Sequence, residues 1–195
     1  MEKFESKENF TIDDLQRQLE SAGIDTSKWG IGEAKTLAHL QEEIESGESV
    51  LISGETGELL RQVAVAVADV YYKSPDGKRY RLKEDRQIFK DGRERRRGLV
   101  QAVSEKIRPN ESPKNAMIRG IREELGLGGE IKLIEAGTEE ETLISPSYPG
   151  LPSKYVRHKF KIMLNDEQFN LEGYIEEQPD KSTYFVWEEA EEEKK

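Results

Sequence analysis

Residues 105–127 read EKIRPNESPKNAMIRGIREELGL, and the fold turns on how this stretch is read. Ser112 is a natural N-cap, and Pro113 falls in the first turn, where a missing N–H costs nothing. Met117, Ile118, Ile121 and Leu125 recur at helical spacing as one apolar stripe, and Gly126 is a natural stop. The spacing predicts a helix. At about 100° per residue, Ala116, Gly120, Glu123 and Glu124 share an adjoining face. Arg119 stands one turn before Glu123 and can hold its carboxylate. Two carboxylates on one face repel unless a cation sits between them, and hard oxygen ligands suit magnesium or manganese. Glu-Glu pairs also decorate ordinary exposed helices, and spacing alone favours that plainer reading.

Upstream of this helix the pattern has period two. SVLIS from Ser49, a GETG turn and the run LLRQVAVAVADVYY predict a hairpin leading into a central strand. Val63 to Val70 is apolar almost throughout, which suits a strand covered on both faces. Ser74-Pro75-Asp76-Gly77 is a turn, after which RYRLKEDRQIF returns as a strand. Lys90-Asp91-Gly92-Arg93 turns again, and GLVQAVSEKI is expected to be another strand. Beyond the helix, IKLIEAGT, YVRHKFKIML and TYFVW read as further strands, and the tail WEEAEEEKK is expected to begin helical and end frayed. The expected class is α/β (α+β), a mixed sheet sandwiched by helices.

The first 47 residues read differently. Thr11 and Asp14 have capping-box spacing, with Leu15 and Leu19 four apart. A second helix is expected from Glu33 to Ser46, with Ala34, Leu37, Leu40 and Ile44 as its stripe and Gly47 closing it. Trp29 and His39 are expected to pack rather than to do chemistry. The division predicted is therefore a helical extension over 1–47 and a main domain over 48–195.

A chain of 195 residues suits one domain with such an appendage. Charged residues, at 36%, outnumber hydrophobic ones at 34%, so the surface is unusually polar. A net charge of -10 argues against nucleic acid as a partner. There is no cysteine, which excludes a disulfide framework, a thiolate metal site and a cysteine nucleophile. The opening MEKFESKENF has no apolar core of signal-peptide length, and no stretch nears the about 18 apolar residues of a membrane helix. The expectation is a cytoplasmic protein without a membrane partner. One local segment runs against the acidic balance: Arg86, Lys90, Arg93, Arg95, Arg96 and Arg97 face only Asp91 and Glu94 within 86–97. An anionic, phosphorylated small molecule would go there, or the segment is simply a solvated turn.

The helix and its approach resemble a known family. The pattern G-x5-E-x7-R-E-U-x-E-E-x-G-U, with U aliphatic, is the Nudix box, and Glu111, Arg119, Ile121, Glu123, Glu124, Gly126 and Leu127 match it at the correct intervals. The loop Ser145-Pro146-Ser147-Tyr148-Pro149-Gly150 and the closing Phe185-Val186-Trp187-Glu188-Glu189-Ala190 are also similar to that family. The resemblance covers roughly residues 48–190 and implies a Nudix-like α/β/α sandwich. Two positions depart from the pattern: its opening glycine is Glu105 here, and the glutamate after its arginine is Gly120.

The resemblance implies hydrolysis of a diphosphate linkage in a nucleoside-diphosphate-linked molecule, with Mg2+ or Mn2+ as cofactor. It implies Glu123 and Glu124 as metal ligands, Arg119 as the residue orienting Glu123, and Glu111 as the brace of the loop. Glu105 is the candidate replacement for the carboxylate missing at Gly120. Arg86, Arg93, Arg95, Arg96 and Arg97 are candidates for the diphosphate, and Tyr148 for a base or ribose, although packing of a Pro-rich turn explains Tyr148 as well. Glu139, Glu140, Glu141, Glu176 and Glu177 are all available as a general base, and His158 is expected to be structural. A homodimer is expected from the family. Besides a divergent hydrolase, two readings stay open: a Nudix-fold module that binds without turnover, and an interaction domain working through its N-terminal helices or acidic tail.

Overall fold

The structure, a computed structural model, describes residues 11–190. Three helices and nine strands follow in the order α1 (Ile12–Ser21), α2 (Leu37–Glu45), β1 (Val50–Ser53), β2 (Leu59–Lys73), β3 (Arg79–Phe89), β4 (Glu94–Arg95), β5 (Val103–Lys106), α3 (Pro113–Leu125), β6 (Leu133–Ile144), β7 (Pro152–Leu164), β8 (Tyr174–Glu177) and β9 (Lys181–Glu189). The strands form one nine-stranded sheet of order β6-β7-β2-β3-β9-β8, with β1 and β5 pairing with β2 and β4 with β3. The mixed α and β class expected from the pattern is the class observed. No described helix is long and apolar enough to cross a membrane.

The described residues pack as two units. The first comprises residues through Ala64, Lys106–Asn110 and Glu139–Arg157. Its α1 begins with the capping box: the Thr11 hydroxyl accepts from the Asp14 N–H, and the Asp14 carboxylate accepts from the Thr11 N–H at 3.1 Å. Leu15, Leu19, Leu40, Tyr148 and Leu151 make its wholly buried core, with Trp29 packed against them. The second helix starts later than expected, at Leu37, because Thr36 caps it and His39 Nδ1 accepts from the Thr36 N–H at 3.1 Å. His39 is thus an exposed cap and not the packing residue expected. Trp29 does pack, its ring 5.0 Å from that of Tyr148.

A buried charge network runs through the same unit. Arg61 and Glu43 expose only 4% and 7% of their side chains, with Nη2 2.7 Å from Oε2. Lys35 and Lys106 approach the other carboxylate oxygen at 2.6 and 3.1 Å, and the Ser49 hydroxyl donates to Glu43 at 2.9 Å. Burial alone would raise the Glu43 pKa. The hydrogen bond from Lys35 and the charges of Arg61 and Lys106 outweigh it and hold the carboxyl well below its ordinary range.

The second unit comprises Val65–Glu105, Glu111–Thr138 and the residues from His158. Here β2 is buried almost throughout, as its apolar run predicts. β3 pairs antiparallel with β9 from Tyr80↔Glu189 to Phe89↔Lys181, with a register shift between Glu84 and Arg86. The tail therefore does not begin helical. Glu188 is drawn into the strand by Lys83 at 2.8 Å, and residues 191–195 of that tail lie outside the described residues. The strand expected over 98–107 shortens to Val103–Lys106, because Gly98 takes φ +61 and the Val100 carbonyl is taken by the Arg81 guanidinium. β6 runs on past Thr138 to Ile144, and β8 is a strand the periodicity did not predict.

Candidate active site around helix α3

Helix α3 forms where its caps place it. The Ser112 side chain accepts from the Asn115 N–H, Pro113 occupies the first turn, and Gly126 closes the helix at φ 65. Met117, Ile121 and Leu125 are buried, and so are Ala116 and Gly120. The face expected to carry carboxylates therefore turns partly inward. Its two glutamates part company, Glu123 exposed and Glu124 half-buried.

Arg119 collects carboxylates from three places. Its Nε and Nη2 donate to the two oxygens of Glu111, both at 3.0 Å. Its Nη1 lies 2.9 Å from Glu105 on β5 and 3.5 Å from Glu123 on its own helix. The fork onto Glu111 is the leading cause that raises the Arg119 pKa, so its charge is fixed. Glu111 thus braces the loop before α3 against the helix. The contact with Glu123 is the longest of the three, and Glu105 takes the tighter share.

Gly120 faces the side chains of Glu105 and Val103 on β5. A Cβ built on it would stand 2.9 Å from the Glu105 Cβ, 3.3 Å from its Cγ and 3.4 Å from Val103 Cγ1. Glycine inside a helix costs about 1 kcal/mol relative to alanine, and this close approach explains why it stands here. Glu105 and Gly120 thus meet in space, the strand carrying a carboxylate side chain against a glycine of the helix.

Glu124 reports the electrostatics of this place. Its pKa is pushed up to about 9, first by burial and then by the negative charges of Glu176 and Glu105, with Arg97 opposing and Glu84 adding to the rise. Glu84 was missed by the sequence reading. Along RYRLKEDRQIF it falls in the inward register of Tyr80 and Leu82, and a lone carboxylate in an apolar register was the available signal. Its side chain is 2% exposed, and Arg97 forks onto it with Nε 2.8 Å from Oε1.

The basic segment is matched by carboxylates of its own neighbourhood. Arg86 pairs with Asp85 at 2.5 Å and lies over the Tyr184 ring. Arg93 pairs with Asp91 at 2.7 Å, and Arg96 with Asp85 and with Glu94 at 3.0 Å. Arg95 sits in β4 opposite Gln87. Of this segment, Arg97 is the residue whose charge acts on Glu124. Tyr148 belongs to the first unit, wholly buried in its core, with the Arg61 guanidinium 4.9 Å from its ring. Among the five glutamates available as a base, Glu140 and Glu141 pair with Lys154 and Arg157 in the first unit, while Glu176 acts on Glu124. His158 Nδ1 lies 3.3 Å from the Thr138 hydroxyl.

The charges that act on Glu124 are those of the Glu176, Glu105 and Glu84 carboxylates and the opposing Arg97 guanidinium. Among the described residues, no three His, Asp or Glu side chains already converge at ligand spacing. Arg119 engages Glu105 and Arg97 engages Glu84.

No family model matches the chain, and no curated protein matches it. Among solved structures, the chain is similar to Ap4A hydrolase from C. elegans, at 17% identity and a TM-score of 0.39 over 65% of this chain and 79% of that one. It is also similar to DR0079 from Deinococcus radiodurans, at 15% identity and 0.38 over 72% and 82%. A third is RenU, a Nudix hydrolase from M. smegmatis, at 14% identity and 0.33 over 72% and 79%.

Proposed function

We propose that this chain is a divergent Nudix-type hydrolase, cleaving a diphosphate linkage in a nucleoside-diphosphate-linked small molecule with Mg2+ or Mn2+. The observation that carries this reading is the facing pair Gly120 and Glu105, because it returns to the helix face the carboxylate that Gly120 lacks. Glu105, Glu123 and Glu124 would hold the cation. When bound, that cation supplies charge neutralisation at the phosphoryl oxygens and activation of water. Arg119 fixes Glu105 and steadies Glu123, while Glu111 ties the preceding loop to the helix. Glu176 lies on β8, and its charge is among the causes that raise the Glu124 pKa.

The test is a phosphate-release screen over nucleoside-diphosphate sugars, dinucleoside polyphosphates, ADP-ribose and nucleoside triphosphates, with each metal. Turnover that disappears in Glu124→Gln supports the hydrolase. A second reading, a module that binds a phosphorylated ligand without turnover, is favoured by the arginines that already hold Glu105 and Glu84. Ligand binding by the native chain with no product from any substrate would select it.

A further inference from the structure

The chain leaves α3 through Gly126-Leu127-Gly128-Gly129-Glu130, and little in that stretch fixes its own course. Leu127 is buried, but a Cβ added to Gly128 or Gly129 would meet no atom within 4 Å. Gly126 and Gly129 both take positive φ, at 65 and 74. Such a stretch has much conformational entropy to lose, and a hold from outside sets where it runs. Gln168, in the turn between β7 and β8, supplies one. Its Nε2 donates to the Gly128 carbonyl and to the Glu130 carbonyl, both at 3.2 Å. Gln168 is itself held: its Oε1 accepts from the Asn165 N–H at 3.3 Å, its N–H donates to Asn165 Oδ1 at 2.9 Å, and its carbonyl accepts from the Tyr174 hydroxyl at 2.6 Å. The residues beside it are tied to the sheet. The Phe169 ring stacks on Tyr72 with centroids 3.7 Å apart and lies 5.2 Å from Trp187, whose indole N–H donates to the Asn170 carbonyl at 2.7 Å. A fixed turn thus spends both N–H bonds of one amide on the exit of the helix that carries Glu123 and Glu124 in its last turn.

We propose that Gln168 is a positioning residue: it clamps the exit of α3 and thereby holds the helix's last turn, with Glu123 and Glu124, in place. This rests on the reading of α3 as the functional helix and adds to it a residue from the β7–β8 turn. Helix ends fray from the last turn, the more so where the chain beyond them is free to move. Glycines supply that freedom here, and the Gln168 amide removes it by taking two of the carbonyls past the helix end.

The experiment is hydrogen exchange on the full chain, read at 121–130 and, as the measure of folding, in β3 and β9. Native protein is compared with Gln168→Ala and Gln168→Glu at each pH. Gln168→Ala is expected to speed exchange at 121–130 about tenfold and to leave β3 and β9 unchanged. At pH 8 Gln168→Glu sets a carboxylate against two carbonyl oxygens and is expected to do the same. At pH 4 its protonated acid donates one hydrogen bond again and is expected to return part of the protection, which Gln168→Ala does not. Faster exchange throughout the chain would reduce Gln168 to general stability and overturn the proposal, as would native exchange at 121–130 in both variants. The Glu124 carboxyl, followed by carbon-13 NMR and assigned with Glu124→Gln, gives a second signal. Its titration, at about 9 in the native chain, is expected to fall in Gln168→Ala as water reaches the loosened turn; an unmoved titration overturns the proposal. None of these readings needs a substrate, so the clamp is decided whether or not the native chain proves active in the phosphate-release screen.

Discussion

Gly120 on α3 and Glu105 on β5 occupy each other's space: a Cβ on the first would meet the Cβ of the second at 2.9 Å. Two Cβ atoms cannot be eased apart by rotating a side chain, so any larger residue at 120 must move helix or strand. Gly120→Glu is expected to destabilise the chain by about 1–3 kcal/mol, despite the better helix propensity of glutamate. The exchange Gly120→Glu with Glu105→Gly is expected to recover most of that loss. Urea denaturation of the three proteins checks it, and a single variant as stable as the native chain would show that the close approach is not a constraint.

Glu124 carries a stability cost that a cation would remove. Its folded pKa of about 9 lies above the ordinary 4.5, so the contribution of this carboxyl to stability is full below about pH 4.5. It is lost as the pH rises through 9, because unfolding then releases the carboxylate from its crowded surroundings. With chelator present, Glu124→Gln is therefore expected to melt higher than the native chain at pH 8 and close to it at pH 4.5. Melting curves across that range decide the matter; a difference of the opposite sign at pH 8 would mean that Glu124 is already compensated.

The parts of this molecule that the sequence reveals are those determined by near neighbours. Thr11 with Asp14, and Ser112 with Pro113 and Gly126, are local chemistry: both helices begin as their caps predict, and α3 ends at Gly126. Strand ends are set by partners instead. Glu188 belongs to β9, where Arg81 of β3 lies opposite it and Lys83 pairs with it at 2.8 Å, and nothing in the acidic tail itself says so. Glu84 was visible as an anomaly in an inward register, but Arg97 reaches it from 13 residues away past a register shift. The pairing of Glu105 with Gly120 likewise needs the strand laid against the helix.

Glu43 gives a pH dependence of the opposite kind. Its folded pKa is held well below 4.5, so its contribution is present above about pH 4.5 and is lost as the pH falls toward the folded value. Glu43→Ala leaves Arg61 buried without its carboxylate and is expected to cost about 3–5 kcal/mol at pH 7. The gap to the native chain should narrow as the pH falls below 4. Denaturation at both pH values tests this, and a gap that stays constant would assign the loss to packing and not to charge.

The same ion pair bears on whether residues 1–47 can be removed. Arg61 lies on β2, exposes 4% of its side chain, and finds in Glu43 a carboxylate that a chain of residues 48–195 lacks. The Ser49 hydroxyl accepts from its Nε at 3.1 Å and the Ser153 hydroxyl from its Nη1 at 3.5 Å, and neither can balance the charge. The shortened chain also loses Leu15, Leu19 and Leu40 from around Tyr148 and Leu151. It is therefore expected to be far less stable than the whole protein. Arg61→Met should separate the two causes: replacing a buried pair by an apolar side chain is often neutral, so Arg61→Met combined with Glu43→Leu in the full chain is expected to stay within about 2 kcal/mol of native. In the shortened chain Arg61→Met is expected to recover only the electrostatic part of the loss. If it recovers nothing, the N-terminal helices stabilise the fold through their leucines alone.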